Sequence, residues 1–167
     1  MKKITFIGLG VMGFPMAGHL SNQGYKVTVY NRSEEKSKMW IKKYTGNYST
    51  SVKEAVADSD IVFSCVGNDS DLRDITLGHN KAFSGMKAGS IFVDHTTTSS
   101  DIAIELSEIA KDYNIHFLDA PVSGGEVGAL KGELTVMIGG ENSIFDRINS
   151  IISAYAKNIT LIGGPGK

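Results

Sequence analysis

The chain has 167 residues, 41% of them hydrophobic and 21% charged, an ordinary composition for one globular domain. Its 17 basic and 18 acidic residues leave a net charge of -1 with no run of like charges, so a nucleic-acid partner is not expected. Neither the opening MKKITFIGLG nor any later stretch has the apolar length of a signal-peptide core or of a membrane span, which needs roughly 20 residues; a cytoplasmic protein with no membrane partner is expected.

In chain order, short β-rich apolar runs alternate with helical segments. KITFIG (3–8) is followed by a helical segment at 11–23, KVTVYN (26–31) by helical segments at 33–44 and 51–57, and DIVFSCV (60–66) leads on to SIFVDH (90–95). A helix over 99–113 then precedes IHFLDA (115–120) and ELTVMIG (133–139), and a helix over 141–154 precedes NITLIG (158–163). Strands that are apolar on both sides and separated by helices predict an α/β fold. Its mostly parallel, doubly wound sheet would be covered by helices on both faces.

Local signals support these boundaries. Ser33 stands where an N-cap belongs, with acids in the following turn and lysines near the end of that segment; Ser99 or Ser100 would cap the helix that carries the stripe Ile102, Leu106 and Ile109. Gly24 and Gly46 sit where helical C-caps are expected. Cys65, the single cysteine, is expected to be a packed small hydrophobe, since one cysteine forms neither an internal disulfide nor a cysteine metal cluster. No metal-ligand spacing surrounds His19, His79, His95 or His116, which are expected to be structural or solvated.

GLGVMG after the first strand places Gly8, Gly10 and Gly13 in the spacing G-x-G-x-x-G ahead of a helix. The first glycine suits a tight turn, the second lets a diphosphate reach the backbone, and the third permits close packing of helix on strand. The helix start offers amides to the phosphates. A Rossmann-type NAD(P) site follows, using the loop Gly8, Leu9, Gly10, Val11, Met12 and Gly13. The second strand ends in Asn31, Arg32 and Ser33 where an NAD-specific site usually has an acid; a cation there suits a 2′-phosphate, so NADP(H) is expected to be preferred with NAD(H) possible, although Glu34 and Glu35 are near enough in sequence to pair with Arg32. A methyl-donor site is a competitor, but would be expected to close that strand with an acid.

Four ordered stretches, FIGLGVMGFPMAGHL, VYNR, VDHTTTS and DAPVSGGEVGALKGELTVMIGG, resemble the β-hydroxyacid dehydrogenase family, which includes 3-hydroxyisobutyrate dehydrogenases and semialdehyde reductases. The resemblance implies cofactor contacts at Val66, Gly67 and Thr96, with helix capping as the plainer role for the threonines. It also implies that Ser123, Gly124 and Gly125 hold the carboxylate of a small substrate, a role that suits a hydroxyl beside successive amides in a glycine turn. Gly128 and Ala129 would then permit close packing beneath that site; the alternative is that these glycines only shape a turn between strands.

The family's acid–base lysine occurs in a pattern like G-x-G-x-x-x-K, and the ending LIGGPGK only approaches it; Lys167 is not that lysine. Residues 1–162 are therefore expected to be the NAD(P)-binding domain and 163–167 the start of a connection to an all-helical second domain. The piece alone is expected to be inactive, and the whole protein a homo-oligomer through that second domain. Imine reductases, which share the first motif but need no carboxylate grip, and a non-enzymatic nucleotide sensor are the competing expectations.

Overall fold

The structure, a computed structural model, describes residues 2–167. Nine strands form one sheet: β1 (Lys3–Ile7), β2 (Lys26–Tyr30), β3 (Asn47–Tyr48), β4 (Ile61–Ser64), β5 (Ile91–Asp94), β6 (His116–Asp119), β7 (Val122–Ser123), β8 (Leu134–Gly139) and β9 (Ala156–Gly163). The spatial order is β3-β2-β1-β4-β5-β6-β8-β7, with β9 also paired to β8. From β3 to β6 every pairing is parallel, β8 runs antiparallel to β6 and β7, and β9 is parallel to β8.

Strand alternation divides the apolar residues between two cores. Ile4 and Phe6 of β1, Ile61 and Phe63 of β4, and Ile91 and Val93 of β5 face one side. There they meet Met16 and Leu20 of α1 (Gly13–Asn22), Trp40 of α2 (Glu34–Lys43), and Ile148 and Ile152 of α8 (Asn142–Ile152). Ile7, Val62 and Phe92 face the other side, against Val56 of α3 (Val52–Val56), Leu72 of α4 (Asp69–Thr76), Phe83 of α5 (Ala82–Gly85), and Ile102 and Leu106 of α6 (Ser100–Asp112). The expected doubly wound α/β fold is therefore present, with its Rossmann-type strand order.

Some local expectations need correcting. Gly46 is not a C-cap, because α2 ends at Lys43 and Gly46 has no positive φ. It is a packing glycine: a Cβ there would lie 2.5 Å from the Val27 carbonyl oxygen and 2.7 Å from the Trp40 ring. Gly24, with φ +94°, does follow α1 as expected, its amide donating to the Ser21 carbonyl. The segment SGGEVGALKG is not simply a turn between strands; it contains the seventh helix, α7 (Gly125–Lys131), which stops at left-handed Gly132. His19 Nε2 donates to the Ala129 carbonyl at 2.8 Å, tying α1 to α7.

Ser33 occupies the N-cap position of α2, but its hydroxyl caps nothing. Ser99 does cap α6, accepting from the Ile102 amide at 3.3 Å while its hydroxyl donates to Asp69 of α4 at 2.6 Å. Ser99→Ala should therefore cost about 1–2 kcal/mol of stability, and Ser33→Ala should change it by less than about 0.5 kcal/mol. Urea unfolding of the two variants beside the parent checks both values.

Candidate functional site

Sequential strands lie on opposite sides of β1, so the crevice at their carboxyl ends opens where the strand order reverses. The turn leaving β1 is built from glycines with distinct tasks. Gly8 has φ +101°, and a Cβ on it would lie 2.1 Å from the Cys65 carbonyl oxygen at the end of β4. A Cβ on Gly13 would lie 1.9 Å from the Gly8 carbonyl oxygen, so only a bare residue lets α1 start against this turn. At Gly10 a Cβ would meet nothing within 4 Å. Two glycines thus close the turn, and the third opens onto solvent space.

That space is a cleft of about 890 Å³. Of the residues expected around a cofactor, it gathers Gly8, Gly10, Val11, Met12 and Gly13 from the turn, Asn31, Arg32 and Ser33 from the end of β2, and Val66 and Gly67 from the end of β4. Leu9 does not line it. Its side chain is 1% exposed, and its amide donates to Asn31 Oδ1 at 2.8 Å. Asn31 in turn donates through Nδ2 to the Ser33 carbonyl at 3.1 Å, so it braces two turns against each other.

Arg32 pairs with neither Glu34 nor Glu35, which serve Lys38 and, for Glu34, Tyr48. Its partner is Asp71 of α4, at 3.0 Å. The far wall, Asp71, Asp74, Ile75, Leu77 and Lys81, was not evident from the sequence because α4 is short and its sequence DSDLRDIT has only two large apolar residues, Leu72 and Ile75. Asn68 directly after a strand-like run was the available signal: its Oδ1 caps α4 by accepting from the Asp71 amide at 2.9 Å.

Thr96 lies in a second, smaller cavity of about 120 Å³, with Asp119, Pro121 and Lys167. It caps no helix. Its hydroxyl accepts from the Val66 amide at 2.9 Å, and its own amide donates to Asp94 Oδ1 at 3.1 Å, where the Ser64 hydroxyl also donates at 2.8 Å. Burial pushes the Asp94 carboxyl up to about 6, against the pull of these hydrogen bonds. Burial also raises Asp119 from its usual range.

His95 is buried and structural: Nδ1 donates to the Ala120 carbonyl at 2.7 Å, Nε2 accepts from the Tyr155 hydroxyl at 2.6 Å, and the ring stacks on Phe63. Burial drives its pKa down to about 4. The Cys65 thiol is pushed by burial up to about 12, which leaves it packed and unreactive at neutral pH.

Ser123, Gly124 and Gly125 line neither cavity; all three are exposed, with Gly124 at φ +130° and Gly125 at φ +61°. Among the described residues no cluster of histidine, cysteine or carboxylate is placed to hold a metal ion, and no helix is long and apolar enough to cross a membrane.

The family described as the NAD binding domain of 6-phosphogluconate dehydrogenase matches residues 3–163. The chain belongs to that family. This NAD binding domain is 53% identical over 166 residues to an uncharacterized oxidoreductase of Shewanella frigidimarina (strain NCIMB 400), covering 99% of the chain and 57% of the relative. A 3-hydroxyisobutyrate dehydrogenase of Mycobacterium tuberculosis with L-serine superposes with a TM-score of 0.93 at 29% identity, over 99% of this chain and 56% of the other. Psf3 in complex with NADP+ and 2-OPP gives a TM-score of 0.93 at 25% identity, over 98% of this chain and 58% of the other. The chain thus spans little more than half the length of each of these three proteins.

The residues present fit a dinucleotide: the cleft sits at the switch point, and its open Gly10 is where backbone must be approached. Two outcomes test this. Gly13→Ala should destabilise the NAD binding domain by several kcal/mol, because backbone must move to admit the methyl group. Gly10→Ala should leave the unfolding midpoint near that of the parent while weakening dinucleotide binding, as followed by cofactor fluorescence.

Asp94 has a folded pKa of about 6, above its usual 3.8. The fold favours the neutral carboxyl, so this contribution is fully present below about pH 4 and is lost as pH rises through about 6. Asp94→Asn should therefore gain stability relative to the parent by about 2 kcal/mol between pH 4 and 7. Denaturant titrations of both proteins across that range measure the difference.

Proposed function

We propose that this NAD binding domain serves an NADP(H)-preferring oxidoreductase that interconverts a small 3-hydroxy acid and its semialdehyde. The carrying observation is the order of groups along the carboxyl edge of the sheet. Arg32 follows β2, the glycine turn follows β1, Val66 and Gly67 follow β4, Thr96 follows β5, and Ser123 ends β7, the strand that comes next in the chain after β6. The strands β2, β1, β4, β5 and β6 are neighbours in that order, and β2 to β5 spans three strand spacings, about 14 Å. An extended dinucleotide would lie along this edge with its adenosine end at Arg32 and its nicotinamide end toward Thr96.

When bound, the cofactor supplies a hydride. The chain's own residues hold and orient. Amides of Gly10 to Gly13 would hold the diphosphate and the Arg32 guanidinium the 2′-phosphate, while the Asp94–Thr96–Val66 chain keeps the ends of β4 and β5 in place where the nicotinamide end would lie. The Ser123 hydroxyl and the amides of the glycine pair grip the substrate carboxylate beyond β6. The similar M. tuberculosis dehydrogenase is described with L-serine, itself a small hydroxy acid, which agrees with that assignment. An imine reductase would leave the Ser123–Gly125 turn without a task.

The proton that accompanies the hydride is assigned to a lysine outside residues 1–167, in a whole protein taken to be a cytoplasmic homo-oligomer. Arg32→Ala should weaken NADPH binding about 10- to 100-fold through loss of a charge-assisted contact, and leave NADH within about threefold. Titrating both cofactors decides it, because equal losses would remove the NADP preference. In the same preparations the 167-residue chain should bind NADPH without reducing small semialdehydes; turnover would refute the assignment of the proton to a lysine elsewhere.

A further inference from the structure

The cleft brings together two cations, Arg32 and Lys81, and two carboxylates, Asp71 and Asp74. Among the described residues one ion pair joins its walls. Arg32 Nη2 lies 3.0 Å from Asp71 Oδ1, across 39 positions of sequence, with the arginine 81% and the aspartate 26% exposed. The end of β2 therefore does meet a carboxylate, although the strand does not itself close with one; it comes from α4. Asn68 caps α4 at the Asp71 amide, and the bare Gly67 leaves space that a Cβ would take, 2.5 Å from Asp71 Oδ2.

We infer that Asp71 sets the choice between the two dinucleotides by competing with the 2′-phosphate for Arg32. This rests on the role proposed above for Arg32. A carboxylate and a phosphate both seek the flat face of donors that a guanidinium presents. Without a 2′-phosphate, Asp71 holds Arg32 and neutralises it. With one, the phosphate takes the arginine and Asp71 is left unpaired beside a dianion, so each NADP(H) molecule binds against that displacement. NAD(H), which carries no phosphate there, binds with the pair intact. Preference for the phosphorylated dinucleotide is thus the strength of the arginine contact less what Asp71 withholds.

The consequence is opposite to that of most substitutions at a binding cleft. Asp71→Asn keeps the size of the side chain and removes its charge, and should tighten NADPH binding about tenfold while NADH changes by less than about threefold. In an Arg32→Ala background the same change should improve NADPH by less than about threefold, because the competition has no object. Asp71→Ser, smaller and also neutral, should behave like Asp71→Asn. Thermal melts of each variant establish that it is folded before titration by cofactor fluorescence.

An NADPH affinity that is unchanged or weaker in both folded Asp71 variants would overturn the inference. So would a gain of equal size with and without Arg32, since Asp71 would then act only as distant negative charge. If Arg32→Ala alone lowers both cofactors equally, the 2′-phosphate role of Arg32 falls and this inference with it. If Arg32→Ala is selective for NADPH but the Asp71 variants gain nothing, only the role of Asp71 falls.

Discussion

The turn that leaves β1 allows two approaches too close for any side chain, and the site is arranged around them. Gly8 lies against the Cys65 carbonyl and Gly13 against the Gly8 carbonyl, so β1, α1 and the end of β4 are locked at backbone contact. The bond from the Leu9 amide to Asn31 brings in the third neighbour, β2. With these joined, the start of α1 can point only along the crevice. The dinucleotide cleft is thus a by-product of close packing among backbones, and Gly10 is free because its neighbours are not.

A second set of contacts, made of buried polar groups, holds the edge farther along. Where β4 and β5 stop, the Ser64 hydroxyl and the Thr96 amide both donate to Asp94, and the Thr96 hydroxyl takes the Val66 amide. The next residue, His95, points to the opposite face of the sheet, where it joins the Ala120 carbonyl to the Tyr155 hydroxyl. Burial disfavours the charge on both side chains, raising Asp94 and lowering His95. The cost is accepted where strand ends need donors and acceptors that no ladder supplies.

Much of this was legible in the chain, and the exceptions have physical causes. Short β-rich runs, apolar on both sides, located seven of the strands, and β3 and β7 were missed because two residues make no such run. The helix α4 was missed because its sequence, DSDLRDIT, gives one large apolar residue to the core, and α7 because Gly125 and Gly128 hide it. Gly46 looked like a cap since it follows lysines, yet it makes room for Trp40 and the Val27 carbonyl. Most residues expected at the cofactor were indeed brought to one cleft; Leu9 went to the core and Thr96 to the smaller cavity, where its hydroxyl is committed to Val66.

The sequence by itself determined the class of fold, the turn after β1 and the alternation of strand and helix, because these depend on backbone freedom and side-chain spacing among residues close in the chain. Tertiary structure alone decided which charges meet. Arg32 had two acids within three positions and took neither; it pairs with one 39 positions away. Coulombic attraction depends on distance through space, and only the folding of β4 and α4 beside β1 brought that carboxylate to the end of β2.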